Sequence, residues 1–132
     1  MDKVKAISII RDFIQSTLPQ EPWYNSIKEH IKAIILYGSV AKGTNKPDSD
    51  VDFLIIVPLE IEKKYTAGEY VYRFKNQEIN IVLRSIEHLR TLASDRTNHV
   101  EAEIFRSSKI IWEKDKEVRN LLQLIKAPQT KS

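Results

Sequence analysis

LYGSVAKGTNKPDSDVDFLIIV, residues 36–57, places a Gly-Ser turn, two lysines and three aspartates between two apolar runs. The run KAIILYG is compact, apolar and closed by glycine, which suits a buried strand. VDFLIIV is a second such run, stopped by Pro58. Between them, VAKG can form the first turn of a helix. A strand–glycine–helix turn presents free backbone N–H groups at a helix N-terminus, and those groups and the helix dipole suit a phosphate. Gly38 has no side chain, so a phosphate can approach the backbone closely. The Ser39 hydroxyl adds a donor, and Lys42 and Lys46 lie near enough in sequence to add charge.

Asp50 and Asp52 are two apart at the start of the second run, which puts both carboxylates on one face of a strand. Carboxylates so placed repel each other unless a cation sits between them. Hard oxygen ligands of this kind suit Mg2+, which completes its shell with water and substrate phosphates. Asp52 lies inside the strand pattern, where aspartate is disfavoured. Asp48, in PDSD, reads as a turn residue. Phosphate turn and carboxylate pair together make a metal–nucleotide site. One metal would hold the triphosphate and a second would activate the attacking hydroxyl.

Gly38-Ser39, ten residues, then Asp50-Val51-Asp52 resembles the signature of the polymerase-β-like nucleotidyltransferase superfamily, over residues 31–84. The resemblance implies a nucleotidyltransferase fold of the α/β (α+β) class, with a mixed sheet of four or five strands packed with helices. Gly38, Ser39 and Lys42 would hold the phosphates. Asp50 and Asp52 would bind Mg2+ or Mn2+, and would be catalytic together with Glu78. A nucleoside monophosphate, AMP first among them, would pass from ATP or another nucleoside triphosphate to a hydroxyl of a protein, RNA or small molecule. The chain's length resembles the minimal nucleotidyltransferases encoded beside HEPN-domain toxins, some of which act as antitoxins. A HEPN-domain protein partner therefore joins the nucleoside triphosphate as an expectation, and an oligomer is compatible with it. Aminoglycoside nucleotidyltransferases share the core and form a further alternative.

One position departs from the family pattern. The family's third carboxylate belongs on a later strand, here EINIVL. Its apolar set is Ile79, Ile81 and Leu83, and the other face carries Glu78, Asn80 and Val82. Asn80 stands at the third carboxylate's place, with Glu78 one pleat away, about 7 Å. An asparagine offers a carbonyl oxygen but is no base. Glu78 substitutes, or the protein binds nucleotide as a weakened regulatory module, or the acceptor or a partner supplies the missing group.

Outward from this centre, residues 2–17 read as an amphipathic helix with Asp2 as N-cap and Val4, Ile7, Ile10, Phe13 and Ile14 at helical spacing. A short helix covers 23–30. Residues 59–68 read as a loop with a helical turn. EYVYRFKNQEINIVLRS reads as a hairpin, with strands near 69–75 and 78–84 on either side of Asn76-Gln77. Ser85 is placed to cap a helix beginning IEHLRTLA, and Asn98 with Glu101 resembles a second helix start. KIIW reads as an edge strand, and residues 115–126 as a last helix carrying Val118, Leu121, Leu122 and Ile125. Tyr65, Tyr70, Tyr72 and Phe74 read as sheet packing. Trp23 and Trp112 read as core or interface aromatics. His30, His88 and His99 lack the spacing of a metal motif and read as surface or helix-end residues.

The 132 residues suit a single domain, 1–132, with core motifs in 31–84 and C-terminal helices in 85–126. No apolar run approaches the 18 or more residues of a membrane span, and the charged N-terminus does not resemble a signal peptide. The absence of cysteine excludes disulfides and thiol chemistry and fits a cytoplasmic setting. A net charge of +3 and a pI near 9.1 favour anionic ligands mildly; nucleic acid binding is not indicated.

Overall fold

The computed structural model describes residues 2–43, 50–65, 69–95 and 99–127. Lys46, Asp48 and Asn98, named above, lie outside them. Five strands form one mixed sheet: β1 (Ala33–Tyr37), β2 (Val51–Val57), β3 (Glu69–Phe74), β4 (Gln77–Ser85) and β5 (Lys109–Glu113), in the order β3-β4-β2-β1-β5. β2 and β4 pair in parallel and every other pair is antiparallel. The helices are α1 (Lys3–Ser16), α2 (Pro22–Ile27), α3 (Gly38–Lys42), α4 (Leu59–Lys64), α5 (Ile86–Ser94), α6 (His99–Arg106) and α7 (Glu117–Lys126). Short 3-10 turns cover Leu18–Gln20 and Lys28–His30, so the helix expected over 23–30 changes pitch after Ile27. Among the described residues no helix is long and apolar enough to cross a membrane.

The sheet separates two apolar layers. On one face Ile34, Leu36, Phe53, Ile55, Ile79 and Ile81 meet α1. The α1 backbone starts where Asp2 Oδ1 accepts from the Lys5 N–H at 2.8 Å, and its buried residues are Ala6, Ile9, Ile10 and Phe13. Phe13 sits against Phe53, Tyr72 and Phe74, with ring centroids 6.4, 5.2 and 5.5 Å away. Val4 is 78% exposed, because it lies on the opposite side of α1 from the buried Ala6, Ile9, Ile10 and Phe13. Trp23 stacks on Tyr70 at 4.2 Å and donates Nε1–H to the Tyr72 hydroxyl at 2.8 Å. These contacts tie α2 to the hairpin.

On the other face Ala33, Ile35, Leu54 and Ile56 are covered by residues of α5, α6 and α7. Ser85 Oγ accepts from the His88 N–H at 3.0 Å and starts α5 as its N-cap. β4 alternates buried and half-buried residues along its whole length, as one fully packed face and one partly open face require. The β3–β4 turn is Lys75-Asn76, one residue earlier than expected. Both have positive φ, 49° and 62°, which is the conformation of a two-residue hairpin turn matching strand twist. Gln77 thereby enters β4 opposite Phe74.

Candidate functional site

α5, α6 and α7 leave one end of their face of the sheet uncovered. The register sets a row of side chains across that end. Tyr37 on β1 stands opposite Asp52 on β2, and Asp52 opposite Asn80 on β4. Directly opposed residues on neighbouring strands share a face. Asp50, just before β2, and Glu78, one pleat before Asn80, extend the row into a cleft of about 270 Å³ lined by Tyr37, Asp50, Asp52, Glu78, Asn80 and Val82.

Asn80 holds the centre. Its Nδ2 donates to Asp50 Oδ2 at 3.1 Å and to Asp52 Oδ1 at 3.0 Å. Two carboxylate oxygens from two residues therefore converge on one point. Burial pushes the Asp52 pKa above its ordinary value; the Asn80 hydrogen bond opposes this and the charge of Asp50 adds to it. The Glu78 carboxyl shares a hydrogen bond with Asp50, which, with the Asp50 charge, raises the Glu78 pKa; Arg73, opposite it on β3, pulls it back. The cleft gathers three carboxylates, those of Asp50, Asp52 and Glu78.

The turn beneath the row is built for close approach. Gly38 has φ +80°, and a Cβ placed there would lie 2.5 Å from Asp52 Oδ2. Only glycine allows the start of α3 to pass so near the carboxylate. Ser39 follows in α3, with its side chain outside the described residues, and Lys42 lies exposed at the end of that helix. The structure thus brings Gly38, Asp50, Asp52, Glu78 and Asn80 to one place. Among the described residues no group of three or more His, Cys, Asp or Glu side chains is already gathered as a metal cage. Two converging oxygens fit a cation that takes its other ligands from water and phosphate, as Mg2+ does.

Sequence reasoning missed Tyr37, which reads as the last apolar residue of β1; only the β1–β2 register reveals that it walls the cleft. A larger groove of about 360 Å³, lined by residues that include Ile14, Ile31, Ile34, Ile111 and Trp112, opens on the opposite face. It is mainly apolar and has no carboxylate in its wall, unlike the smaller cleft.

Residues 24–117 match the family described as polymerase beta, nucleotidyltransferase. A nucleotidyltransferase-like protein from Exiguobacterium sibiricum 255-15 shares the fold, at 18% identity and a TM-score of 0.54 over 89% of this chain. This chain spans 38% of that protein's length. A toxin–antitoxin structure with AMP-PNP is a looser likeness, at 16% identity and a TM-score of 0.42, covering 78% of this chain and 77% of that one. No curated protein matches the sequence.

Proposed function

The chain belongs to the polymerase beta, nucleotidyltransferase family, and on that premise we propose that it transfers a nucleoside monophosphate, AMP in the first instance, from a nucleoside triphosphate to an acceptor hydroxyl. The convergence of Asp50 and Asp52 on one point beside Gly38 carries this reading. Both aspartates would hold Mg2+ or Mn2+, and Asn80 would turn its amide so that Oδ1 rather than Nδ2 faces the ion. Bound there, the cation would anchor the triphosphate and offset charge developing on the transferred phosphoryl group. Gly38 lets the backbone approach the phosphates, Ser39 supplies a hydroxyl and Lys42 a nearby positive charge. Tyr37 walls the cleft on the β1 side.

Calorimetric titration with ATP, with and without Mg2+, on the wild type and on Asp50→Asn tests this. Binding that needs Mg2+ and is lost in Asp50→Asn supports the site. Absence of binding for any nucleoside triphosphate would overturn it.

The Asn80 bridge also favours a second reading. With an amide in place of a third carboxylate, the domain binds metal–nucleotide but transfers slowly, and acts on a protein partner through its surface. The HEPN-domain partner and the antitoxin role rest on the sequence resemblance alone. Faster AMP transfer by Asn80→Asp than by the wild type, at equal ATP affinity, would select this second reading.

A further inference from the structure

The open strip of the sheet does not end at Asn80. Two residues further along the same strands, about 7 Å on, Leu54 and Val82 line a second hollow of about 130 Å³. Tyr37 and Val82 belong to both hollows. The wall of the second comes from α5 and α6. His88 Nε2 lies 2.5 Å from Glu101 Oε2, and both side chains are 33% exposed. Ile104 and Phe105 complete the lining. A histidine oriented by a carboxylate therefore stands beside a cleft whose own basic position is filled by an amide.

Nucleotidyl transfer needs a group that accepts the acceptor's proton. Asn80 cannot, because an amide is no base. Glu78 is tied to Asp50 and lies on the far side of Asn80 from Val82 along β4. Accepting the nucleotidyltransferase reading above, we propose that the second hollow receives the acceptor and that His88, oriented by Glu101, takes the proton from its hydroxyl. With Nε2–H donated to Glu101, Nδ1 is the basic nitrogen. The acceptor O–H bond breaks and its proton passes to Nδ1. The oxygen forms a bond to the α-phosphorus, and the bond from the α-phosphorus to the bridging oxygen breaks. Pyrophosphate leaves with that electron pair, and the imidazolium returns its proton to water. Among the described residues, Arg84 from β4, Tyr37 from β1 and Glu101 from α6 are the charged and titratable groups that line the hollow with His88.

The hollow also limits the acceptor. Its volume is about half that of the neighbouring cleft. Leu54, Val82, Ile104 and Phe105 supply the apolar part of its wall, and Tyr37, Arg84, His88 and Glu101 a polar part of similar extent. The acceptor is therefore a hydroxyl on a compact body with both apolar and polar surface, such as one side chain or a small alcohol.

The test uses the full chain, ATP labelled at the α-phosphate, Mg2+ and 1-propanol as the probe acceptor. Calorimetry comes first. If the wild type binds no ATP·Mg2+, the nucleotidyltransferase reading fails and this inference falls with it. If it binds, His88→Gln and Glu101→Gln should bind ATP·Mg2+ as the wild type does. His88→Gln should form propyl-AMP about 100-fold or more slowly, and Glu101→Gln should shift the acid limb of the pH–rate profile. Equal rates in the wild type and His88→Gln would overturn the proposal. Should the wild type form no ester, proton NMR of the ATP·Mg2+ complex decides: 1-propanol must displace the His88 ring signals, and unmoved signals would overturn it.

Discussion

The two faces of β2 and β4 follow opposite rules. On the α1 side Val51, Phe53, Ile55, Ile79 and Ile81 are each 0% exposed, and that side is filled by ordinary close packing. On the other side the same strands present Asp52, Asn80, Glu78 and Arg84, all half-buried. There, like charges are pressed together and held by one amide. The first face secures the fold. The second weakens it locally, and its layout fits the metal–nucleotide site proposed above. The close packing on the first face makes the second affordable.

Substitutions should separate the faces. The largest effect is expected on the packed side. Phe53→Ala should cost about 3–5 kcal/mol in denaturant unfolding, because Phe53 is fully buried and meets Phe13 edge-on. A cost below about 1 kcal/mol would mean that this face is not the closed core described. Gly38→Ala should cost about 2 kcal/mol, from left-handed strain and the contact with Asp52, and should weaken Mg2+-dependent ATP binding at least tenfold. Unchanged binding would separate the turn from the site.

Smaller effects belong to the open side, and there the sign should reverse. Asp52→Asn should raise the metal-free Tm by about 3 °C, since it removes a like-charge contact. Burial, aided by the Asp50 charge, holds the Asp52 pKa above its ordinary 3.8. The folded state therefore keeps that proton to higher pH than the unfolded chain. Its contribution is complete below 3.8 and is lost as pH rises through the raised value. The variant's advantage should thus open as pH climbs from acid towards neutral, and Tm curves that run parallel across that range would refute it. Asn80→Asp should do the reverse, lowering the metal-free stability by about 1 kcal/mol and regaining it with Mg2+. The smallest effect is Val4→Ser, within about 0.5 kcal/mol, because Val4 is 78% exposed.

Much of this contrast is legible in the sequence. Period-two alternation separates Ile79, Ile81 and Leu83 from Glu78, Asn80 and Val82, and the structure keeps that division. The Gly-Ser and Asp-x-Asp spacing marks the cleft. What escapes is whatever depends on partners distant in the chain. Tyr37 becomes a cleft residue only through its register with Asp52. His88 and Glu101, 13 apart, become a pair only because α5 and α6 both pack against α7, and no local pattern signals that. The hairpin turn sits at Lys75-Asn76 because both residues accept positive φ, a preference that Lys75 does not announce.

The parallel pairing of β2 with β4 has a kinetic consequence. Parallel neighbours cannot be joined by a tight turn, and here α4 and β3 intervene. A growing chain that has completed β2 already carries Gly38, Asp50 and Asp52, with no amide to hold the carboxylates together. Non-local strand pairing is slow compared with local contacts. Under the proposed function, nucleotide capture should therefore appear with the last refolding phase rather than with the first formation of helix, so that competence to bind reports a finished sheet.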